Sequence, residues 1–124
     1  MSLLKDYDNF FLPANNLEEA KDFYENILGL EIKFDFSDKG MVAFKVGDNE
    51  PALILTIAKD MRPSILFTVD SVTEAYQLLR QKGIHFTGEP KEIMTGLIVE
   101  FEDPFGNRFA LTDYSKMPHL RGKK

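Results

Sequence analysis

Residues 101–114, FEDPFGNRFALTDY, spell out a strand, a tight turn and a return strand in one run, and no other stretch constrains the fold of this chain as closely. Pro104 presets φ for the first central turn position, Gly106 accepts a positive φ, and Asp103 and Asn107 are placed to cap the turn's backbone amides. Beyond the turn, Phe109, Leu111 and Asp113 alternate with Ala110, Thr112 and Tyr114, so the return strand has two chemically different faces. Taken alone, this is a hairpin that many folds contain.

The rest of the chain supplies the context, because it reads as two copies of one unit divided near 59–63, where KDMRP interrupts the apolar pattern. In the first copy a strand over 10–14 leads to Asn16 as helix cap, Glu19 stands three residues on as in a capping box, and Gly29 ends the helix after Leu28. In the second, a strand over 65–69 leads to Ser71 as cap, with Glu74 and Gly83 in the corresponding places. Leu17, Ala20 and Phe23 match Val72, Ala75 and Leu78 as an apolar stripe at i, i+3 and i+6. Three strand-like runs follow each helix, at 31–36, 41–46 and 52–57, then at 84–87, 97–101 and 108–114. Across them Phe44, Val46, Ile54 and Thr56 correspond to Val99, Phe101, Ala110 and Thr112. The expected class is α+β: two tandem βαβββ units, about 8–58 and 64–114, with a basic tail over 115–124. Each helix covers one sheet face and leaves the other bare, so two such units side by side form a curved mixed sheet around a cleft.

A chain of 124 residues with 44% hydrophobic side chains has the means to build one domain around its own core. It contains no Cys, which excludes disulfides, thiolate metal sites and a cysteine nucleophile. A net charge of −5 argues against a nucleic-acid surface, which needs clustered positive charge. Lys116, Arg121, Lys123 and Lys124 make the tail basic, in keeping with a solvated terminus. Lys5 and Asp6 come before any apolar run long enough for a signal peptide, and no stretch has the length of a membrane span. The expectation is a cytoplasmic protein with no membrane partner.

Combined with FYENILGLEI at 23–32, the 101–114 hairpin resembles the glyoxalase/bleomycin-resistance/dioxygenase superfamily, also called vicinal oxygen chelate proteins, over about residues 8–114. The resemblance implies a concave sheet surface carrying the active or binding site. It also implies, in metal-dependent members, a His at the start of the first strand and a Glu in the last strand of a unit. Counting back from Leu17 and Val72 puts the first-strand positions at Asn9 and Ser64, and aligning GNRFAL at 106–111 puts the last-strand positions at Ala110 and, by the repeat, Ile54. None of these is a strong ligand, whereas divalent transition metals take three or four N or carboxylate O donors at about 2.0–2.3 Å. Hence no metal and no cofactor are expected, and the family's common chemistry loses its Lewis acid.

Drug-binding members of this family also lack the metal and hold ligands in a groove at a dimer interface, which points to a homodimer binding a small organic molecule. The residues sharing a face with the four positions are Asn9, Phe11, Ile54 and Thr56 in one copy and Ser64, Leu66, Thr68, Ala110, Thr112 and Tyr114 in the other. They are either cleft lining or plain core. As lining they offer stacking and hydroxyls without fixed positive charge, which suits an aromatic or amphipathic ligand. An enzyme of lyase, isomerase or dioxygenase type is the alternative, with Glu100 or His85 as acid–base group. Each also reads as an ordinary strand residue, facing solvent or partly exposed. A filled cleft would leave only an interaction module.

Overall fold

Two short polar side chains set where the helices begin. Asn16 Oδ1 accepts from the Glu19 amide at 3.1 Å and Ser71 Oγ from the Glu74 amide at 3.2 Å, each satisfying a donor that a helix leaves orphaned at its N-terminus. The first helix, α1 (Leu17–Lys21), runs directly into a π-helical stretch over Asp22–Ile27, where the Leu28 N–H reaches back to the Phe23 carbonyl at 2.9 Å. The second, α2 (Val72–Gln81), stays α-helical. Gly29 and Gly83 follow the two helices at φ 77° and 89°, the left-handed conformation that glycine adopts most readily.

The computed structural model describes residues 3–48, 51–58 and 60–120. Lys59 of the interrupting segment and Arg121, Lys123 and Lys124 of the basic tail lie outside the described residues. The strands are β1 (Asp6–Pro13), β2 (Glu31–Phe36), β3 (Met41–Lys45), β4 (Ala52–Thr56), β5 (Ser64–Thr68), β6 (His85–Phe86), β7 (Lys91–Glu92), β8 (Leu97–Glu102) and β9 (Arg108–Thr112). Short β7 and a 3-10 turn at Ser37–Lys39 are additions that the apolar pattern does not announce. No described helix is long and apolar enough to cross a membrane.

The chain divides into two compact units, one of Asn9–Pro63 and one of Ser64–Lys124 with Met1–Asp8. Both have the same pairing. In the first unit the order is β2-β3-β4-β1, antiparallel except for parallel β4 and β1. In the second it is β6-β8-β9-β5, antiparallel except for parallel β9 and β5, with β7 also on β8. The register pairs Phe11 with Ile54 and Leu66 with Ala110, then Pro13 with Thr56 and Thr68 with Thr112, so Ile54 and Thr56 do correspond to Ala110 and Thr112. The other two expected matches are two residues out. Val42 faces Leu55 as Val99 faces Leu111, and Phe44 faces Leu53 as Phe101 faces Phe109, so Phe44 matches Phe101 and Val42 matches Val99. Val46 lies beyond β3 and is exposed. Strand alternation has a period of two, so a slip of two residues leaves the apolar pattern intact and the sequence alone does not detect it.

Each helix covers one face of its sheet. In the first unit Leu17 and Ala20 pack on Val42, Phe44 and Leu55, joined by Tyr24, Ile32 and Leu53. In the second, Val72 and Ala75 pack on Val69, Val99 and Leu111, joined by Tyr76, Leu79, Phe86 and Phe101. The expected third member of each stripe is displaced: Phe23 is 46% and Leu78 43% exposed, while Tyr24 and Leu79 pack in the cores. At about 3.6 residues per turn, i+7 returns to the starting face and i+6 falls well short of it.

The Asp-Pro-Phe-Gly-Asn turn folds as expected between β8 and β9, with Gly106 at φ 85°. Asp103 Oδ1 accepts from the amides of Phe105 at 2.8 Å and Asn107 at 2.9 Å. Asn107 does not cap an amide with its side chain; its Nδ2 donates to Asp103 Oδ2 at 2.8 Å, because Asp103 already holds the turn's amides. That bond leads the interactions holding the Asp103 carboxyl below its ordinary range.

Candidate functional sheet faces

The helix-free face of the first unit is apolar. Phe11, Ile54, Ala43 and Phe34 stand opposite one another across β1, β4, β3 and β2, and Ala43, Ala52 and Ile54 are buried against Phe11, Phe34 and Met41. A β-bulge makes this possible. Ile32 pairs with Phe44 and Phe34 with the next residue, Ala43, so the extra residue Lys33 turns β2 over and sends Ile32 to the helix side and Phe34 to the bare side. At the rim, Asn9 Oδ1 accepts from the Ala52 amide at 3.1 Å.

The corresponding face of the second unit is mixed. Three rows cross it in register: Ser64, Arg108 and Glu102; then Leu66, Ala110 and Glu100; then Thr68, Thr112 and Ile98. Arg108 Nε donates to Glu102 Oε2 at 2.9 Å, with the two side chains 27% and 23% exposed. The expectation of a lining without fixed positive charge is therefore corrected. Arg108 stands two residues before Ala110 and so on the same face, a signal that strand alternation already carries. Thr112 Oγ1 donates to the Leu97 carbonyl at 3.1 Å, whereas the buried Ser64 Oγ and Thr68 Oγ1 have no hydrogen-bond partner among the described residues.

Of the ten residues expected to line the site, Ile54, Thr56, Leu66, Thr68, Ala110 and Thr112 are buried and Asn9, Phe11, Ser64 and Tyr114 half-buried. The buried ones form the floor of each face, since central strands have neighbours on both sides. Glu100 is exposed and lines a recess of about 150 Å³ with Thr87, Glu89, Lys91 and Ile98. His85 is exposed on edge strand β6 opposite Glu102. A pair that the sequence does not reveal is Tyr114, whose hydroxyl donates to the buried carboxylate of Asp8, from opposite ends of the chain. Among the described residues, no group of three His, Cys, Asp or Glu side chains is arranged to hold a metal ion.

This architecture has known counterparts. The uncharacterized protein YetH of Bacillus subtilis (strain 168) is 24% identical over 120 residues, which cover 90% of this chain and 100% of YetH. A methylmalonyl-CoA epimerase from Streptomyces coelicolor, solved in complex with 2-nitronate-propionyl-CoA, matches with a TM-score of 0.70 at 19% identity, over 90% of this chain and 99% of its own. A glyoxalase/bleomycin resistance protein/dioxygenase superfamily member from Vibrio splendidus 12B01 matches with a TM-score of 0.63 at 17% identity, over 84% and 94% of the two chains. At these identities the solved structures establish the fold and not the chemistry. The sequence profile of the Glyoxalase/Bleomycin resistance protein/Dioxygenase superfamily matches residues 7–111, nearly all of the paired βαβββ units, and the chain belongs to that superfamily.

Proposed function

We propose that this protein binds a small organic molecule on its helix-free sheet faces without a divalent metal. The observation that carries this reading is the donor set at the four positions where metal-dependent relatives are expected to hold the ion. Asn9 offers an amide oxygen already engaged by the Ala52 N–H, Ser64 offers a neutral hydroxyl, and Ile54 and Ala110 offer no donor atom. Such a set does not fit a Zn, Fe, Mn or Ni ion. The apolar floor beside half-buried Phe11, Phe34 and Met41 suits an aromatic or amphipathic ligand, and a cytoplasmic homodimer is the setting this reading assumes.

Protein incubated separately with Zn(II), Mn(II), Ni(II) and Fe(II), then desalted, is expected to retain less than roughly a tenth of an equivalent of each by elemental analysis. Near-stoichiometric retention of any one would overturn the reading.

One observation favours an enzyme instead. Glu100 stands opposite Ala110 in the register and opens onto a recess, where a carboxylate can act as a proton acceptor. If the protein turns over an aldehyde, thioester or catechol substrate, Glu100→Gln is expected to reduce kcat by about 100-fold or more with unchanged folding. Full activity in that variant would exclude Glu100 as the base.

A further inference from the structure

Ser64 and Asn9 occupy equivalent places in the two units, yet their hydrogen bonding among the described residues differs. Asn9 Oδ1 accepts from the Ala52 amide. Ser64 Oγ is closed to water and has no hydrogen-bond partner among the described residues. A buried hydroxyl left in this state lowers stability and calls for a physical reason. Its neighbour across the parallel pair of β5 and β9 is Arg108. The guanidinium of Arg108 is held through Nε by Glu102, and its terminal amino groups have no protein hydrogen-bond partner among the described residues.

We infer that Ser64 Oγ and the Arg108 guanidinium form a polar subsite for the carbonyl oxygen of a neutral ligand, such as a carboxamide, whose apolar body lies toward Leu66 and Ala110. The inference rests on the proposed binding function and specifies the ligand class. The Arg108 guanidinium can only donate and the Ser64 hydroxyl has a proton to give, so a ligand atom that both contact is an acceptor. Glu102 already offsets the charge of Arg108, and the adjoining recess carries two carboxylates, Glu89 and Glu100, against the single cation Lys91. An incoming carboxylate would meet this excess negative charge, whereas a neutral carbonyl uses the same donors without the repulsion. Because Ser64 Oγ is covered when no ligand is bound, binding displaces a neighbour, and Arg108 is the long, partly exposed side chain beside it.

The test is a titration of the full-length 15N-labelled protein with benzamide and, separately, benzoate, followed by amide chemical shifts in wild type and Ser64→Ala. Benzamide is expected to shift the amides of residues 64–66 and 108–110 saturably, and benzoate to do so only at higher concentration. Ser64→Ala is expected to weaken benzamide several-fold while its melting temperature stays equal or rises, because the substitution removes an unsatisfied buried group. A lower melting temperature for Ser64→Ala would show that the hydroxyl has a structural task, and unchanged benzamide affinity would show that it does not contact the ligand; either overturns the subsite. Tighter binding of benzoate overturns the neutral-acceptor assignment. Saturable shifts confined to other residues remove the subsite and leave the proposed function standing, which the metal-retention measurement tests separately.

Discussion

Replacing Asp113 with Ala is expected to lower folding stability by on the order of 3–4 kcal/mol, measured by urea unfolding at neutral pH. Asp113 is 1% exposed, and its carboxylate joins three parts of the second unit. Oδ2 accepts from the Val72 amide at 2.8 Å, at the first turn of α2. Oδ1 accepts from the Leu97 amide at 3.0 Å, where β8 begins, and from the Ser115 amide and hydroxyl at 3.2 and 2.8 Å. Ala would strand the Val72 amide away from water and remove a negative charge from a helix N-terminus.

The pH dependence separates charge from shape. Burial is the largest single influence on the Asp113 carboxyl and pushes it upward, but the hydrogen bonds from Val72, Leu97 and Ser115 together outweigh it, so the group is held below its ordinary value of 3.8. A carboxyl lowered in the folded state contributes stability that is complete above its unfolded value and is lost as the pH falls through its folded value. The stability gap between wild type and Asp113→Asn is therefore expected to be widest near pH 7 and to narrow below about pH 3.8. A gap that stays constant down to pH 3 would show that the charge is not what the site uses.

What the sequence discloses here is local. The Asp103 turn, the Asn16 and Ser71 caps and the glycines after each helix are closed within a few residues, and all form as their side chains require. The equivalence of Asn9 with Ser64 follows by counting back from the helix starts, and that of Ile54 with Ala110 from aligning GNRFAL at 106–111 and matching the repeated strands. What stays hidden depends on partners far along the chain. The bulge at Lys33 is defined only by its register against Phe44 and Ala43. Asp8 and Tyr114 come from opposite ends, and Asp113 reads as one more alternating strand residue until Val72 and Leu97 arrive beside it. The candidate face is legible as a set of positions, and strand alternation also puts Arg108 on it, while the pairing of its charge is not legible. Arg108 and Glu102 look like turn-proximal surface residues until the hairpin register places them side by side, next to Ser64.

Gly96→Ala is expected to destabilise the protein about as much as Asp113→Ala, by on the order of 3 kcal/mol, through the same network. Its backbone φ is not positive, so conformational strain is not the cause. The cause is space. A Cβ at Gly96 would meet the Asp113 carboxylate, and would lie 2.7 Å from the Asp113 carbonyl oxygen and 2.8 Å from the Ser115 nitrogen. Two of those three neighbours are backbone and do not rotate away. Gly96 also closes the turn into β8, where the Ile93 amide donates to its carbonyl at 2.9 Å, so the turn and the end of β9 would be forced apart together. Gly83→Ala provides the contrast: Gly83 has φ +89° and nothing within 4 Å of the place a methyl would take, so its cost is conformational alone, about 1 kcal/mol. If Gly96 and Asp113 act through one network, the double variant loses clearly less than the sum of the two single losses in urea unfolding. Additive losses would mean that the close approach at Gly96 and the Asp113 carboxylate stabilise the unit independently, and the common-network account would fall.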